Sequence, residues 1–167
     1  NVFGKEDTLV TIQIDMLLAQ KFGMEYTDQE GKKATPYIIH RTSMGCYERT
    51  LAYLLEKYAG ALPAWLAPEQ ARVLPITDRA ADFAHEIVRK LEAKGFRVTA
   101  DYRNEKIGKK IRDAQLEKIP YMLVLGDKEV EAGSVAVRTR SGEDMGAIAL
   151  EEFIDILGNE VAEKLRK

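Results

Sequence analysis

The chain has 167 residues, 46% hydrophobic and 31% charged, with 25 Lys plus Arg against 27 Asp plus Glu, a formal net charge of −2. That is enough chain for one good-sized domain, or a domain and a fragment, of ordinary globular composition. It excludes a disordered or fibrous chain, and an indiscriminate polyanion binder whose whole surface would be basic. The single cysteine, Cys46, excludes an intrachain disulfide framework and fits a reducing compartment. No apolar run approaches the ~18–20 residues of a membrane-spanning helix, and no signal-peptide pattern is visible. There is no initiator Met, so the sequence is expected to be cut from a longer chain.

Residues 8–18 (TLVTIQIDMLL) are rich in β-branched side chains and alternate around Ile12 and Ile14, which predicts a strand presenting Gln13 and Asp15 on one face. Residues 24–27 and 34–41 read as two further strands joined through the turn at 28–31, with Pro36 near the start of the second. After Gly45 the period changes. Tyr47, Leu51, Leu54 and Tyr58 predict a helix that stops at Gly60 and packs its apolar stripe on the strands. At the strand-to-helix junction 40–49 (HRTSMGCYER), a glycine permits close approach of a ligand and the helix start offers free N–H groups. Arg49, one turn in, can grip phosphate. The same residues also fit a solvated Glu48–Arg49 pair. Cys46 reads as a small packed side chain, because a nucleophilic thiol needs a neighbouring base and nothing places His40 or His85 there. Tyr53, Tyr58 and Trp65 read as core and junction packing.

The stretch 60–68, with two prolines, lies between two periodic patterns and is the candidate domain boundary. Beyond it, 71–76 reads as a strand, Thr77 as a cap, and Phe83, Ile87 and Leu91 as the stripe of a helix that Gly95 ends. An alternating strand at 96–101 precedes a helix at 105–118 that buries Ile107, Ile111 and Ala114 and stops before Pro120. The continuous apolar run 121–125 predicts a central strand covered on both faces. Residues 126–133 read as a turn and 134–140 as a strand with Val135 and Val137 on one face. Leu150, Phe153, Ile154, Leu157, Val161 and Leu165 mark a C-terminal amphipathic helix. This order predicts an α/β domain with a parallel or mixed sheet, whose ligands sit near strand ends; Asn104 stands at such a place. No Gly-rich fingerprint supports a dinucleotide site.

Between 103 and 112 five bases (Arg103, Lys106, Lys109, Lys110, Arg112) face one acid, Glu105. Asn, Glu and Arg side chains on such a basic edge can hydrogen-bond the edges of splayed RNA bases, while lysines attract the backbone. Lys109, Lys110 and Glu117 also fit a solvated helix face.

A strand followed by Gly-x-x-Glu-Arg opening a helix resembles the third signature motif of class II aminoacyl-tRNA synthetases. The longer string PYIIHRTSMGCYERTLAYLLEKYAG, with WLAP at 65–68, resembles the threonyl-tRNA synthetase family. The string ADYRNEKIGKKIRDAQLEKIPYMLVLGDKEVEAGSVAVRTR at 100–140 is similar to the anticodon-binding domain shared by the threonyl, prolyl, glycyl and histidyl enzymes, and its details favour the threonyl member. The resemblance implies a remnant of the class II catalytic domain at 1–67, an antiparallel sheet with a helix. After it, at 68–167, would come an anticodon-binding domain with a mixed, mostly five-stranded sheet flanked by about three helices.

The resemblance also implies roles. Arg49 would hold the ATP phosphate and serve catalysis, and Gln13 would lie against the nucleotide or adenylate. His40 would be one of three zinc ligands that select threonine. Asn104, Arg112, Glu129 and Arg138 would meet anticodon bases, with Lys106 and Lys110 touching phosphate only. The parent would join threonine to tRNA(Thr) through an adenylate using ATP with Mg, as a cytoplasmic homodimer without membrane or DNA partners. The sequence departs from the family at 7–10 (DTLV), where many members carry Trp-Gln-Cys-Gly, and at Cys46, where a Ser is common. The first two class II motifs and the other two zinc ligands are absent, so this piece is expected to catalyse nothing by itself. The alternative is a non-catalytic accessory or regulatory protein on the same fold. A prolyl or glycyl enzyme is disfavoured by His40.

Overall fold

Residues 2–6, 8–42 and 44–164 are described by the computed structural model; Asp7, Ser43 and Leu165, used above, lie outside them. The chain divides into two units, Asn1–Lys57 and Tyr58–Lys167.

In the first unit β1 (Ile12–Asp15) is followed by α1 (Leu18–Lys21), β2 (Tyr26–Thr27), β3 (Lys33–Ala34), β4 (Ile38–Arg41) and α2 (Tyr47–Lys57). β1 pairs antiparallel with β4, Gln13 opposite His40, and β2 pairs with β3. The expected strand over 8–18 is only four residues long. The Asp15 carboxylate accepts hydrogen bonds from the Leu17 and Leu18 N–H groups, both at 2.8 Å, and turns the chain into α1. The expected strand over 34–41 is split at Pro36, which has no N–H to donate, into β3 and β4 with different partners. α2 forms where expected, yet its stripe is not buried: Tyr47 is 73% and Leu51 53% exposed. Two-stranded pairs are too narrow to cover a helix face. Ala19 is the unit's one buried residue among those described.

The second unit contains β5 (Ala71–Pro75), a single tight turn at Asp78–Ala80, α3 (Ala81–Ala93), β6 (Val98–Ala100), α4 (Ile107–Leu116), β7 (Tyr121–Leu125), α5 (Asp127–Ala132), β8 (Ser134–Thr139), β9 (Asp144–Ala149) and α6 (Leu150–Ala162). The sheet runs β6-β5-β7-β8-β9. β5 is parallel to β6 and β7, because α3 and α4 return the chain to the same sheet edge. The short connections after β7 and β8 make the last two pairings antiparallel. Ile87 and Leu91 of α3 and Phe153 and Leu157 of α6 pack on Val73, Leu123, Val135 and Val137 on one face. Ala114, with Ile107 and Ile111 of α4, packs on Leu74 and Met122 on the other. β7 is covered on both faces, which is why its run is continuously apolar.

Three expectations are corrected. Thr77 makes no side-chain cap; the turn is closed by Ala80 N–H donating to the Thr77 carbonyl. Residues 126–133 hold a helix, α5, because the Glu129 carboxylate reaches back 2.8 Å to the Gly126 N–H and Gly133, at φ 63°, ends it. β9 was not foreseen. Its inward residues Met145 and Ile148 are three apart, since Gly146 (φ 78°) sits beside an irregularity in the β8–β9 register that breaks the two-residue period.

The stretch before β5 packs with this unit. Leu62, Ala64 and Ala67 are buried, Gln70 donates to the Ala64 carbonyl at 3.0 Å, and Arg97 donates to the Ala67 carbonyl at 2.8 Å. Arg140 donates to the Leu62 carbonyl at 2.5 Å. No helix among the described residues is long and apolar enough to cross a membrane.

Candidate nucleic-acid interface

The parallel strands β5, β6 and β7 end along one edge of the sheet, where connecting loops gather. After β6, Asn104 is exposed and lines a shallow hollow of about 70 Å³ together with Ile76, Tyr102 and Lys110. After β7, the Glu129 carboxylate and Ile76 both come close to Gly126. A Cβ built on Gly126 would meet Glu129 Oε2 at 3.0 Å and Ile76 Cδ1 at 3.2 Å. Asn104 and Glu129 therefore both lie near Ile76, which is 46% exposed.

The loop that carries Asn104 is tied down from below. Buried Asp101 accepts hydrogen bonds from the Arg103 backbone N–H at 3.0 Å and from its guanidinium at 2.9 and 2.7 Å. Arg103 also reaches Asp113 on α4 at 2.9 Å. The Arg103 hydrogen bond holds the Asp101 carboxyl below the usual carboxylate range, against the opposing effect of burial. Lys110 is only 4% exposed, and its ammonium donates to the Pro75 carbonyl at 3.0 Å and the Asp101 carbonyl at 2.9 Å. It joins the ends of β5 and β6. This corrects the expectation that Lys110 lies on a solvated face and touches phosphate. Glu117 is likewise paired, with Arg72 at 2.7 Å, and Lys109 with Glu105 at 2.5 Å. Of the five bases, three are thus committed to internal partners. Lys106, at the start of α4, and Arg112 on its exposed side have no ion pair among the described residues.

Arg138 on β8 stands opposite Met122, a member of the α4-side core cluster, so it belongs to that face of the sheet. It is half-exposed and pairs with Asp144 of β9 at 2.7 Å. The Asp144 carboxyl is held low by the Gly146 N–H first and by Arg138 second. Gln115, one turn after Arg112 on α4, approaches the β8–β9 turn, its amide nitrogen 4.0 Å from a Cβ built on Gly142. The structure thus brings Asn104 and Glu129 to the strand-end edge, and Arg112 and Arg138 to the α4 face. No hydrogen bond or ion pair joins any two of the four among the described residues.

In the first unit, Gln13, His40 and Asp15 share one face of the β1–β4 pair, with Asp15 Oδ2 3.4 Å from His40 Nε2. The Leu18 and Leu17 N–H groups hold the Asp15 carboxyl low. Gly45 is at φ 70°, and a Cβ there would overlap the Leu9 carbonyl oxygen, so the close approach it permits is to this chain's own backbone. Arg49 Nη1 donates to the neighbouring Thr8 carbonyl at 2.6 Å. Glu48 is met by the Cys46 thiol at 3.0 Å, which lowers its pKa, and so no Glu48–Arg49 pair forms. Cys46 is exposed rather than packed, and Tyr53 is partly exposed with Lys57 5.5 Å over its ring. Among the described residues no group of three or more His, Cys, Asp or Glu could hold a metal, so His40 and Asp15 do not make a zinc site by themselves.

Sequence reasoning missed Asp101 and Tyr102. The signal for Asp101 was an acid ending a strand two residues before an Arg; for Tyr102 it was an aromatic with no place in the apolar period.

Comparison with known proteins gives this edge a context. A family model described as "Anticodon binding domain" matches residues 70–160, and one described as "tRNA synthetase class II core domain (G, H, P, S and T)" matches residues 1–58. A threonine–tRNA ligase of Clostridium perfringens (strain 13 / Type A) is 57% identical over 164 residues, 98% of this chain and 26% of its own. One from Clostridium botulinum (strain Eklund 17B / Type B) is 58% identical over 166 residues, 99% of this chain and 26% of its own. The chain spans about a quarter of the length of these curated relatives. Among solved structures, the RNA-binding domain of threonyl-tRNA synthetase from Cryptosporidium parvum Iowa II superposes with a TM-score of 0.84 at 35% identity, over 95% of this chain and 40% of that one. The chain therefore belongs to the anticodon-binding domain family, carries a class II tRNA synthetase core segment ahead of that domain, and is a homologue of the threonine–tRNA ligases.

Proposed function

We propose that this chain is the anticodon-reading part of a threonine–tRNA ligase, whose parent attaches threonine to tRNA(Thr) through an ATP-dependent threonyl-adenylate. Residues 68–167 form the anticodon-binding domain, and residues 1–67 are a remnant of the catalytic domain that is inactive alone. Asn104 and Glu129 read base edges at the strand ends, and Arg112 and Arg138 read them from the α4 face. Lys106 supplies backbone attraction.

The observation that carries this reading is that four groups able to pair with bases are all at least partly exposed, on a hydrogen-bonded strand-end edge and the face beside it. Three of the neighbouring bases are held by partners within the chain, Arg103 and Lys109 by carboxylates and Lys110 by backbone carbonyls, so the edge offers hydrogen-bonding geometry more than free charge. In the parent, Arg49 contacts the ATP phosphate, Gln13 lies against the nucleotide, and Mg accompanies ATP. His40 is one zinc ligand, the others coming from elsewhere in that chain. The parent acts as a cytoplasmic homodimer.

The test is binding of the 167-residue chain to a threonine-tRNA anticodon stem-loop and to a same-length hairpin with an altered anticodon, at fixed salt. The expected result is a preference for the cognate loop that shrinks by about 5- to 100-fold in Arg138→Ala. Equal, salt-sensitive binding to both loops would reduce the edge to a phosphate-attracting surface and overturn the reading.

A further inference from the structure

We propose that Tyr102 is the stacking surface for the RNA base that Asn104 reads, an inference that rests on the anticodon-binding reading above. Tyr102 and Asn104 lie two residues apart and line the same hollow at the end of β6. Arg103, between them, also lines the hollow, but its guanidinium is held by Asp101 and Asp113, so the middle side chain anchors the loop while Tyr102 and Asn104 are left to meet a ligand there. Tyr102 is 43% exposed and belongs to neither core cluster. Its ring packs on His85 but has no place in the apolar core.

The ring is nevertheless held in place. It stacks on His85 of α3, with centroids 4.4 Å apart and planes at 24°, and its hydroxyl lies 2.9 Å from His85 Nδ1. A ring fixed on one side by a second ring loses little rotamer freedom when a base covers it. Single-stranded RNA is read in this way, with an unstacked base resting on an aromatic face while a neighbouring amide meets its edge. Partial burial pushes the phenol pKa up, so the ring remains neutral through the physiological range. Asn104 alone would pair with a base free to tilt; Tyr102 fixes the base plane so that the amide's donor and acceptor are both used.

The experiment uses the full 167-residue chain and the same two hairpins. Tyr102→Leu is expected to weaken cognate binding about 5- to 50-fold while shifting the thermal midpoint by no more than a few degrees from loss of the His85 stack, and Tyr102→Phe to stay within about 2-fold of the unsubstituted chain in binding. Tyr102→Trp places a fluorophore at the site. The emission it adds to the Trp65 background is expected to be quenched by the cognate hairpin and not by one carrying an abasic nucleotide at the stacked position. Cognate binding within 2-fold in Tyr102→Leu, or unchanged emission of the Tyr102→Trp variant at saturation, would overturn the proposal. Should Tyr102→Leu fail to fold, the fluorescence of Tyr102→Trp decides alone. If the unsubstituted chain itself does not distinguish the two hairpins, the anticodon reading falls and takes this one with it; that arm separates the two failures.

Discussion

At the scale of residues, Lys110 is where charge counting and structure part. In sequence it is one of five bases in a patch; in the fold its ammonium is buried on the carbonyls of Pro75 and Asp101, at the ends of two parallel strands. A buried ammonium persists only with such partners, and removing it leaves two buried carbonyls unpaired. Lys110→Met keeps the aliphatic stem and is expected to destabilise the second unit by about 2–4 kcal/mol, read as a lower urea midpoint with unchanged slope. Lys106, four residues earlier on the exposed helix start, has no such role. Lys106→Ala is expected to leave the urea midpoint alone, weaken cognate and altered hairpins equally, and reduce the salt dependence by about one phosphate contact. Equal stability loss in both variants would contradict this division. The residue types were legible in the sequence; which lysine goes inward was not, because burial of Lys110 depends on two carbonyls 35 and 9 residues away.

Elements show the same pattern of what sequence can and cannot say. The stripes of α3 and α6 and the apolar run of β7 were readable because each is periodic and each face meets a core cluster. β9 was not, since its bulge shifts the spacing of Met145 and Ile148. α5 was not either, because glycines at both ends of a six-residue helix look like a turn until Glu129 is seen capping Gly126. In the first unit the β-branched run at 8–18 pointed to a long strand, but Asp15 stops it by accepting the Leu17 and Leu18 N–H groups and turning the chain into α1. The motif glycine was legible as a position that needs no side chain, and the structure changes the reason. Gly45 and Arg49 together bind α2 to the Thr8–Leu9 backbone. Gly45→Ala must displace the Leu9 carbonyl and strain a left-handed φ, which by itself costs about 1 kcal/mol. Limited proteolysis of the full chain is expected to cut within 8–46 several times faster in Gly45→Ala, with no change beyond residue 71. Unchanged cleavage would mean that the α2 start is held by other contacts.

For the chain as a whole, the two units differ in what holds them. The second contains both apolar clusters and a sheet covered on each face. The first buries Ala19 alone among its described residues and leaves Ile12, Ile14, Ile39 and Leu51 more than half exposed. Local opening is governed by buried apolar contacts, so amides in the two units are expected to exchange with solvent at very different rates. In native-state hydrogen exchange, the amides of β1, β4 and α2 should exchange within minutes, while those of β5, β7 and β8 should approach the protection of global unfolding. The informative stretch is 58–67. The proposed boundary at 67–68 puts it with the catalytic remnant, yet Gln70, Arg97 and Arg140 hold its carbonyls and Leu62, Ala64 and Ala67 are buried. The N–H groups of Leu66 and Ala67, which donate to the Pro63 carbonyl at 2.9 Å, should therefore be protected together with β5. Protection that begins near residue 62 would make this stretch a structural part of the anticodon-binding unit, whatever its origin in sequence. Protection that begins only at 70 would mean those side-chain contacts do not hold it against local unfolding, and would place the physical boundary close to the one proposed at 67–68.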